Sequence, residues 1–317
     1  MSIVQADTPI PVSIPAHRPP RPPLRGRAPV QGLTLLGPAL VIYGLFAIWP
    51  MLDVVRLSFM RWDGLAPAET FVGLDNYRSI FHDDPVFWLA FSNTLIWTAL
   101  SVAIPPAIGF ALALGLNQPL PGRNALRAVF YLPVIIASIA VATMWRWMYD
   151  PFFGVINAGL TALGLDGLIG DWLGDRHIAL YSVFAAYVWQ NVGVSMVLFL
   201  AGLQNVSPTL IEAARMDGAG RWQRFLHVIL PAIRPTVTVM VILTLINSLK
   251  AFDIVYGMTH GGPAQSTQLM AFWAFWQSLQ LHDFGRGSAI AVVLLAITLV
   301  IVIPYLRWSQ AREEALR

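Results

Sequence analysis

The sequence predicts an all-α integral membrane protein with six transmembrane helices. Hydrophobic residues make up 56% of the 317-residue chain, charged residues make up only 12%, and the mean hydropathy is +0.63. Charged residues amount to about 25% of a typical soluble chain, so the composition excludes a soluble globular protein. A helix of about 20 apolar residues can cross a bilayer. The chain contains six such runs, at residues 33–52, 94–116, 125–148, 179–203, 236–258 and 288–306.

The first span follows a proline-rich N-terminal stretch. Residues 1–31 hold eight prolines and no long apolar run, and such a segment cannot bury enough surface to offset the entropy lost on ordering. We therefore expect a disordered cytoplasmic tail at 1–31, a transmembrane domain at 32–310 and a cytoplasmic tail at 311–317. The stretch lacks the apolar core and small-residue cleavage site of a signal peptide, so the first span is expected to remain as an anchor.

Prolines lie inside the second and third spans. Pro105 and Pro106 fall within the second, and Pro133 falls within the third. Proline removes an amide donor and clashes with the preceding turn, so both spans are expected to kink or open locally. Neighbouring helices can satisfy the freed carbonyls, which keeps both spans compatible with a membrane.

A further apolar segment, residues 269–276, lies between the fifth and sixth spans. Polar residues flank it on both sides, and its core is too short to cross a bilayer. We expect a half-inserted or surface helix there. A seventh span would also put the C-terminus on the other side of the membrane.

The distribution of basic residues predicts the orientation of the chain. With the N-terminus inside, 13 of the 20 Lys and Arg residues fall on the cytoplasmic side. Basic residues concentrate on that side in membrane proteins, so both termini are expected in the cytoplasm. Topology therefore accounts for the net charge of +3, and no nucleic-acid partner is expected.

The chain lacks the motifs of an enzyme. Its only lysine is Lys250, and no GxxxxGK(S/T) sequence precedes it, so the phosphate-binding loop of an ATPase is missing. The six histidines are scattered without metal-ligand spacing, and there is no cysteine. We expect no catalytic residue, no metal site and no cofactor of its own.

A polar connector at about residues 204–234 stands between the fourth and fifth spans. Ser207 and Pro208 are typical of a helix N-terminus, and Asp217-Gly218 is typical of a turn that ends a helix. The stretch Glu212-Ala213-Ala214, then Gly218, then Leu230-Pro231 resembles the EAA loop of bacterial ABC-importer permeases, with Val228 in place of the usual Ile. Residues 71–77, 145–151 and 259–267 extend the resemblance to the carbohydrate-uptake branch, over about residues 33–310. The chain departs from the maltose type in lacking a large inserted outside domain, and His260 stands where many relatives have glycine.

The resemblance implies the type I ABC importer permease fold and a role in sugar uptake. Such a permease pairs with a second, usually non-identical, permease and with two ATPase subunits, which bind the ATP and Mg. A solute-binding protein outside the membrane delivers a mono-, di- or oligosaccharide, or a related polyol or glycerol phosphate. The expected location is a bacterial or archaeal plasma membrane. The resemblance assigns ATPase coupling to Glu212, Ala213, Ala214, Asp217, Gly218, Leu230 and Pro231.

Polar residues inside the spans are candidates for the solute pathway, because such residues are costly in a bilayer. Gln190 and Asn191 lie in the fourth span, and Asn247, Lys250 and Asp253 lie in the fifth. Lys250 and Asp253 are three residues apart, so they could form an ion pair on one helical face. These residues could equally have structural roles, and the partner permease could be the chain that contacts the sugar.

Two alternatives remain from the sequence. An ABC importer for a non-sugar solute, such as an amino acid or a metal, would share the connector but not the motifs at 145–151 and 261–263. A secondary transporter or channel would share the hydrophobic spans, but it would not need a cytoplasmic helix–turn–helix in this register.

Overall fold

The computed structural model describes residues 28–67 and 69–314, and it describes side chains within 36–67 and 69–312. It divides into two units, one ending at Met51 and the other beginning at Leu52. In the first unit, helix α1 (Ala28–Tyr43) continues through a π-helical turn into the start of α2 (Trp49–Leu57). Residues 1–27 of the expected tail lie outside the described residues, whereas residues 28–31 are helical.

The second unit is almost entirely helical. After α2 come a two-stranded antiparallel sheet, β1 (Met60–Arg61) and β2 (Thr70–Phe71), and thirteen further helices in the described residues. These helices are α3 (Asp75–His82), α4 (Pro85–Leu116), α5 (Arg123–Ile135), α6 (Ser138–Met148), α7 (Val155–Ala162), α8 (Ala179–Gln204), α9 (Pro208–Met216), α10 (Arg221–Arg224), α11 (Leu230–Ala232), α12 (Arg234–Leu249), α13 (Asp253–Met258), α14 (Met270–Phe275) and α15 (Phe284–Glu314). Residues 311–314, expected as tail, therefore belong to α15.

Four helical stretches are long and apolar enough to cross a membrane: Leu36–Leu57, Pro85–Leu116, Ala179–Gln204 and Phe284–Arg312. Two bent pairs pass the same test. Helices α5 and α6 meet at 100°, and the stretch Arg221–Ala232 meets α12 at 63°. If each bent pair is one span, the total is the six that the sequence predicts.

The second span is longer than predicted and is not interrupted by its prolines. Helix α4 begins at Pro85 because the Asp84 carboxylate accepts hydrogen bonds from the backbone N–H groups of Val86 (3.0 Å) and Phe87 (3.1 Å), as an N-cap should. The helix then continues through Pro105 and Pro106 to Leu116. The local opening expected at these prolines is therefore absent.

The third and fifth spans are broken, which contradicts their prediction as single helices. The third leaves the helical path at Ile136 and Ala137, whose ψ angles are 133° and 136°. The fifth ends at Leu249, and α13 starts only at Asp253. In the third span the break follows Pro133 by three residues, and the Ile136 N–H donates to the Pro133 carbonyl (3.3 Å) where the helix ends.

Helix α14 contains most of the segment expected as a half-inserted or surface helix. Its shortness was predicted correctly, but the alternative of a surface helix is wrong, because Met270, Phe272 and Trp273 are buried. The Trp273 indole Nε1 donates to Asp84 Oδ2 (2.9 Å), and the Met270 N–H donates to the Thr94 hydroxyl (2.9 Å). Polar flanking residues suggested a surface from the sequence. In the structure two of these flanking residues, Thr267 and Gln277, are buried, and their side chains donate to the Gly262 carbonyl (2.8 Å) and to Asp84 Oδ2 (3.5 Å). Such bonds make a buried polar group tolerable.

The motif stretch 71–77 and the start of α15 meet beside the small sheet. The Asn76 amide donates to the backbone carbonyls of Ser58 (2.9 Å) and Met60 (2.8 Å). A Cβ at Gly285, at the start of α15, would lie 2.2 Å from the Met60 carbonyl oxygen. Only glycine permits that approach. Asn76 and Gly285 therefore have structural roles in packing the loop against α15.

Candidate functional site

The connector between the fourth and fifth spans is a helix–turn–helix, as predicted. Ser207 takes the N-cap position of α9, and Pro208 is its first residue. The Ser207 hydroxyl contacts the Thr209 hydroxyl (2.7 Å) and makes no capping bond to the backbone. The capping position was therefore predicted correctly, but the side-chain cap was not.

Gly218 ends helix α9 in the left-handed conformation that the sequence predicts, with φ of +79°. The N–H of Gly218 donates to the Arg215 carbonyl (3.0 Å), and the N–H of Ala219 donates to the Ala214 carbonyl (2.9 Å). These two bonds form a Schellman motif, which satisfies carbonyls at the helix end. The turn between α9 and α10 is therefore defined by backbone geometry.

We expect Gly218→Val to loosen this turn. A non-glycine residue in the left-handed region costs about 1–2 kcal/mol, and a branched Cβ is worse placed than most. A Cβ at Gly218 would meet no atom within 4 Å, so the cost is conformational and involves no clash. Hydrogen exchange should show faster amide exchange at residues 214–219 in this variant. Gly218→Asn is the matched control, because Asn tolerates this conformation, and equal exchange in both variants would contradict the account.

One side of α9 packs on the protein and the other is open. Ile211 packs against a buried cluster that includes Phe199 of α8 and Ile233 before α12. Glu212 and Ala213 are exposed, and so is Met216, whose side chain is 88% accessible. Ala213 and Met216 are one turn apart, so they share a face. The open face combines a carboxylate with small and apolar side chains, which suits contact with another protein.

A hollow lies where α9 turns into α10. Its volume is about 360 Å³, and its lining includes Ala214, Asp217 and Gly218 from the predicted set together with Arg224 and His227. The connector therefore offers both a protruding face and an adjoining recess to a partner.

Leu230 and Pro231 lie at the other end of the connector, where the chain bends into α12. The stretch Arg221–Ala232 meets α12 at 63°, and the residue between them, Ile233, is buried. Phe225 of the connector also packs on Phe110 of α4, with ring centroids 5.9 Å apart. These contacts attach the connector to the spans on both sides of the bend.

A polar cavity of about 460 Å³ lies where the two broken spans face each other. The break at 136–137 forms one wall and the break at 250–252 forms another. The structure brings together all five residues predicted for a solute pathway at this cavity: Gln190, Asn191, Asn247, Lys250 and Asp253. Broken helices at a cavity are a common way to expose backbone polar groups to a solute inside a membrane.

Gln190 holds the break in the third span. Its side chain is buried, and its Nε2 donates to the Ile136 carbonyl (2.9 Å) and contacts the Ser138 hydroxyl (3.3 Å). The Asn191 amide donates to the Tyr187 carbonyl (2.9 Å) one turn earlier in the same helix. Gln190 therefore has a structural role at the cavity wall, because it satisfies a carbonyl that the break leaves without a helical partner.

Asn247, Lys250 and Asp253 present exposed side chains at the cavity. The predicted ion pair is wrong: within the described side chains no salt bridge joins Lys250 to Asp253. Lys250 caps the end of α12 and Asp253 begins α13, so the two residues do not share the continuous helical face that the spacing implied. The charged groups of Lys250 and Asp253 therefore both face the cavity without being paired to each other.

Sequence reasoning missed several residues of the cavity wall, including Ser138, Tyr187 and Phe252. Tyr187 is three residues before Gln190, so the helical period of the fourth span could have found it. Ser138 and Phe252 reach the cavity only because the two spans break beside them. Pro133 was a signal for the first break, and we find no comparable signal in the sequence for the second.

Comparison with known proteins places these features in a family. Residues 103–312 match the family described as binding-protein-dependent transport system inner membrane component. A probable ABC transporter permease protein of Pyrococcus horikoshii is 37% identical over 283 residues, which cover 89% of this chain and 96% of that protein. The trehalose/maltose transport system permease protein MalF of Thermococcus litoralis is 33% identical over 291 residues, covering 92% of this chain and 97% of the relative.

A solved structure has the same fold. The bacterial ABC transporter involved in the import of the acidic polysaccharide alginate contains a chain that superimposes with a TM-score of 0.78 at 25% sequence identity. The match covers 90% of this chain and 96% of that chain. The likeness covers most of both chains, so the fold class predicted from the sequence is confirmed as that of a type I ABC importer permease.

Proposed function

This chain belongs to the family of binding-protein-dependent transport system inner membrane components, and from that premise we propose that it is the transmembrane permease subunit of an ATP-driven sugar importer. The observation that carries the proposal is the course of α12. This helix begins at the bend that ends the connector, and it ends at Leu249, directly before Lys250 on the wall of the polar cavity. Its 16 residues make a rod about 24 Å long at 1.5 Å per residue.

The cavity is the proposed solute site. Sugars present hydroxyl groups on their rims and apolar C–H faces, so their sites combine fixed polar groups with aromatic side chains. Asn247, Lys250 and Asp253 supply the polar groups, and Tyr187 and Phe252 supply aromatic surface. The names of two relatives, a trehalose/maltose permease and an alginate importer, support a carbohydrate over an amino acid or a metal.

ATP hydrolysis belongs to a separate subunit under this proposal. The sequence has no phosphate-binding loop, so ATP and Mg would be bound by the partner ATPase. The open face of α9 around Glu212 and Ala213, with the recess beside Gly218, is the proposed docking surface for that ATPase. We therefore propose that the connector and both termini lie in the cytoplasm, a proposal that the bias of basic residues supports.

The remaining partners follow from the family. We propose that a second, non-identical permease pairs with this chain, that two ATPase subunits bind below, and that a solute-binding protein delivers the sugar from outside. When the ATPase dimer closes around bound ATP, it would move the connector as a rigid body. Helix α12 would carry that motion to the cavity and alternate its access between the two sides.

Purification of the full chain from its native membrane tests this proposal. The tagged protein should be extracted in a mild detergent, and its partners should be identified by mass spectrometry. We expect a P-loop ATPase and a second permease to co-purify. A chain that purifies alone and transports solute after reconstitution by itself would contradict the proposal and favour a secondary transporter.

A further inference from the structure

A groove of about 570 Å³ lies between the start of α12 and the end of α15. It is separate from the polar cavity, which lies at the opposite end of α12. Pro231, Val237, Tyr305 and Trp308 form much of its wall, and apolar surface predominates. Arg234 and Arg312 are the charged residues among those that line it. The groove is thus a largely apolar trough that carries two cations.

The two arginines have no counter-ion in the described side chains. No aspartate or glutamate lines the groove, and neither arginine takes part in a salt bridge within the described side chains. The Arg312 guanidinium lies 4.5 Å from the centroid of the Trp308 ring, a cation–π contact that directs the charge over the apolar wall. Two guanidinium groups at one groove, without a counter-ion among the described side chains, favour an anionic ligand.

The place of the groove in the fold indicates what kind of anion would bind. Arg234 is the first residue of α12, and Arg312 is the last residue of the apolar stretch Phe284–Arg312. At the ends of membrane-crossing helices both charges would lie at the level of the membrane surface, with Val237 and Tyr305 further into the helices along the chain. Headgroups are found at that level, and basic grooves between helices at this level bind anionic lipid headgroups. A small soluble anion would leave the apolar wall of the groove uncovered, whereas a lipid acyl chain would cover it.

We propose that this groove binds one anionic phospholipid, with its phosphate between Arg234 and Arg312 and an acyl chain along Tyr305 and Trp308. The proposal needs only that this end of the spans lies at a membrane surface, and it does not depend on which solute the cavity takes. Pro231 lines the groove at the bend between the connector and α12. A bound lipid therefore fills the space beside that bend.

Native mass spectrometry of the purified complex containing the full chain measures the affinity directly. Phosphatidylglycerol and phosphatidylcholine with the same acyl chains are titrated separately. We expect phosphatidylglycerol to bind with a clear preference. We expect Arg234→Gln combined with Arg312→Gln to weaken its binding by about 30-fold, since each basic residue at a membrane surface contributes about 1 kcal/mol. Arg307→Gln is the matched control, because Arg307 is an exposed arginine on the same end of α15 that does not line the groove. Equal loss in the control, or no loss in the double variant, would overturn the proposal.

A second experiment locates the lipid. The chain has no cysteine, so Thr238→Cys places a single fluorescent label on the groove wall, with the unsubstituted complex giving the labelling background. Phosphatidylglycerol with brominated acyl chains should quench this label in nanodiscs more than brominated phosphatidylcholine at the same mole fraction. Equal quenching by both lipids would show a non-selective lipid surface. Quenching by neither would show that a protein segment covers the groove, and either result would refute the proposal.

Discussion

Substitutions on the open face of α9 are expected to stop sugar uptake while the chain still inserts in the membrane. Ala213→Trp places a large ring where a docked partner would approach closely, and Glu212→Lys reverses the charge beside it. Like charges brought together at an interface cost several kcal/mol, and about 3 kcal/mol already corresponds to a factor of about 100. We therefore expect uptake of radiolabelled sugar into proteoliposomes to fall by about 100-fold or more in both variants.

Two control variants accompany this prediction. Ala311→Trp adds the same ring at an exposed position near the end of α15, and Glu212→Gln removes the charge without reversing it. Because Glu212 and Ala213 are exposed, their substitution leaves the core intact, and expression and thermal stability should match the unsubstituted chain. Uptake that stays within about twofold of normal in both test variants would show that α9 does not receive the ATPase.

Filling the polar cavity is expected to block transport without disturbing assembly. Asn247 has an exposed side chain on the cavity wall, and Asn247→Trp would occupy much of the space that a sugar ring needs. Asn247→Leu keeps a similar size but removes the amide. Loss of a hydrogen bond to a substrate hydroxyl costs about 1–3 kcal/mol, so we expect roughly a 10-fold to 100-fold loss in uptake at low sugar concentration for the Leu variant.

Leu243→Trp is the matched control for the cavity. Leu243 lies one turn earlier on α12, is 41% accessible and does not line the cavity. We expect normal uptake in this variant, and co-purification with the ATPase should be unchanged in all three. Normal uptake by Asn247→Trp would contradict the assignment of the cavity as a solute site. It would also indicate that the partner permease alone contacts the sugar.

The sequence predicted features that depend on local chemistry or on hydrophobic length. The spans were found because a bilayer requires a minimum apolar length. The turn at Gly218 was found because few residues other than glycine adopt a positive φ without strain. The five solute-pathway candidates were chosen as costly polar residues inside spans, and they do line one cavity. Their contact with a solute stays a prediction.

Features that depend on distant partners could not be predicted from the sequence. The break at Ile136 is stabilised by Gln190, which is 54 residues away, and no local pattern reveals that bond. The buried segment around α14 is held by Asp84. The Oδ1 of Asp84 caps α4, and its Oδ2 accepts hydrogen bonds from Trp273 and Gln277, which are 189 and 193 residues away in the sequence. The helical spacing of Lys250 and Asp253 suggested an ion pair because it assumed a continuous helix. The break between them removes that premise.

ATP hydrolysis by the assembled complex tests the central claim, that the connector transmits force between a separate ATPase and the cavity. The complex should be reconstituted in proteoliposomes, and hydrolysis should be measured with and without sugar-loaded binding protein. The account predicts strong stimulation with the unsubstituted chain and none with Glu212→Lys or Ala213→Trp, while the binding protein still docks outside. Retention of full stimulation in both variants would contradict the account.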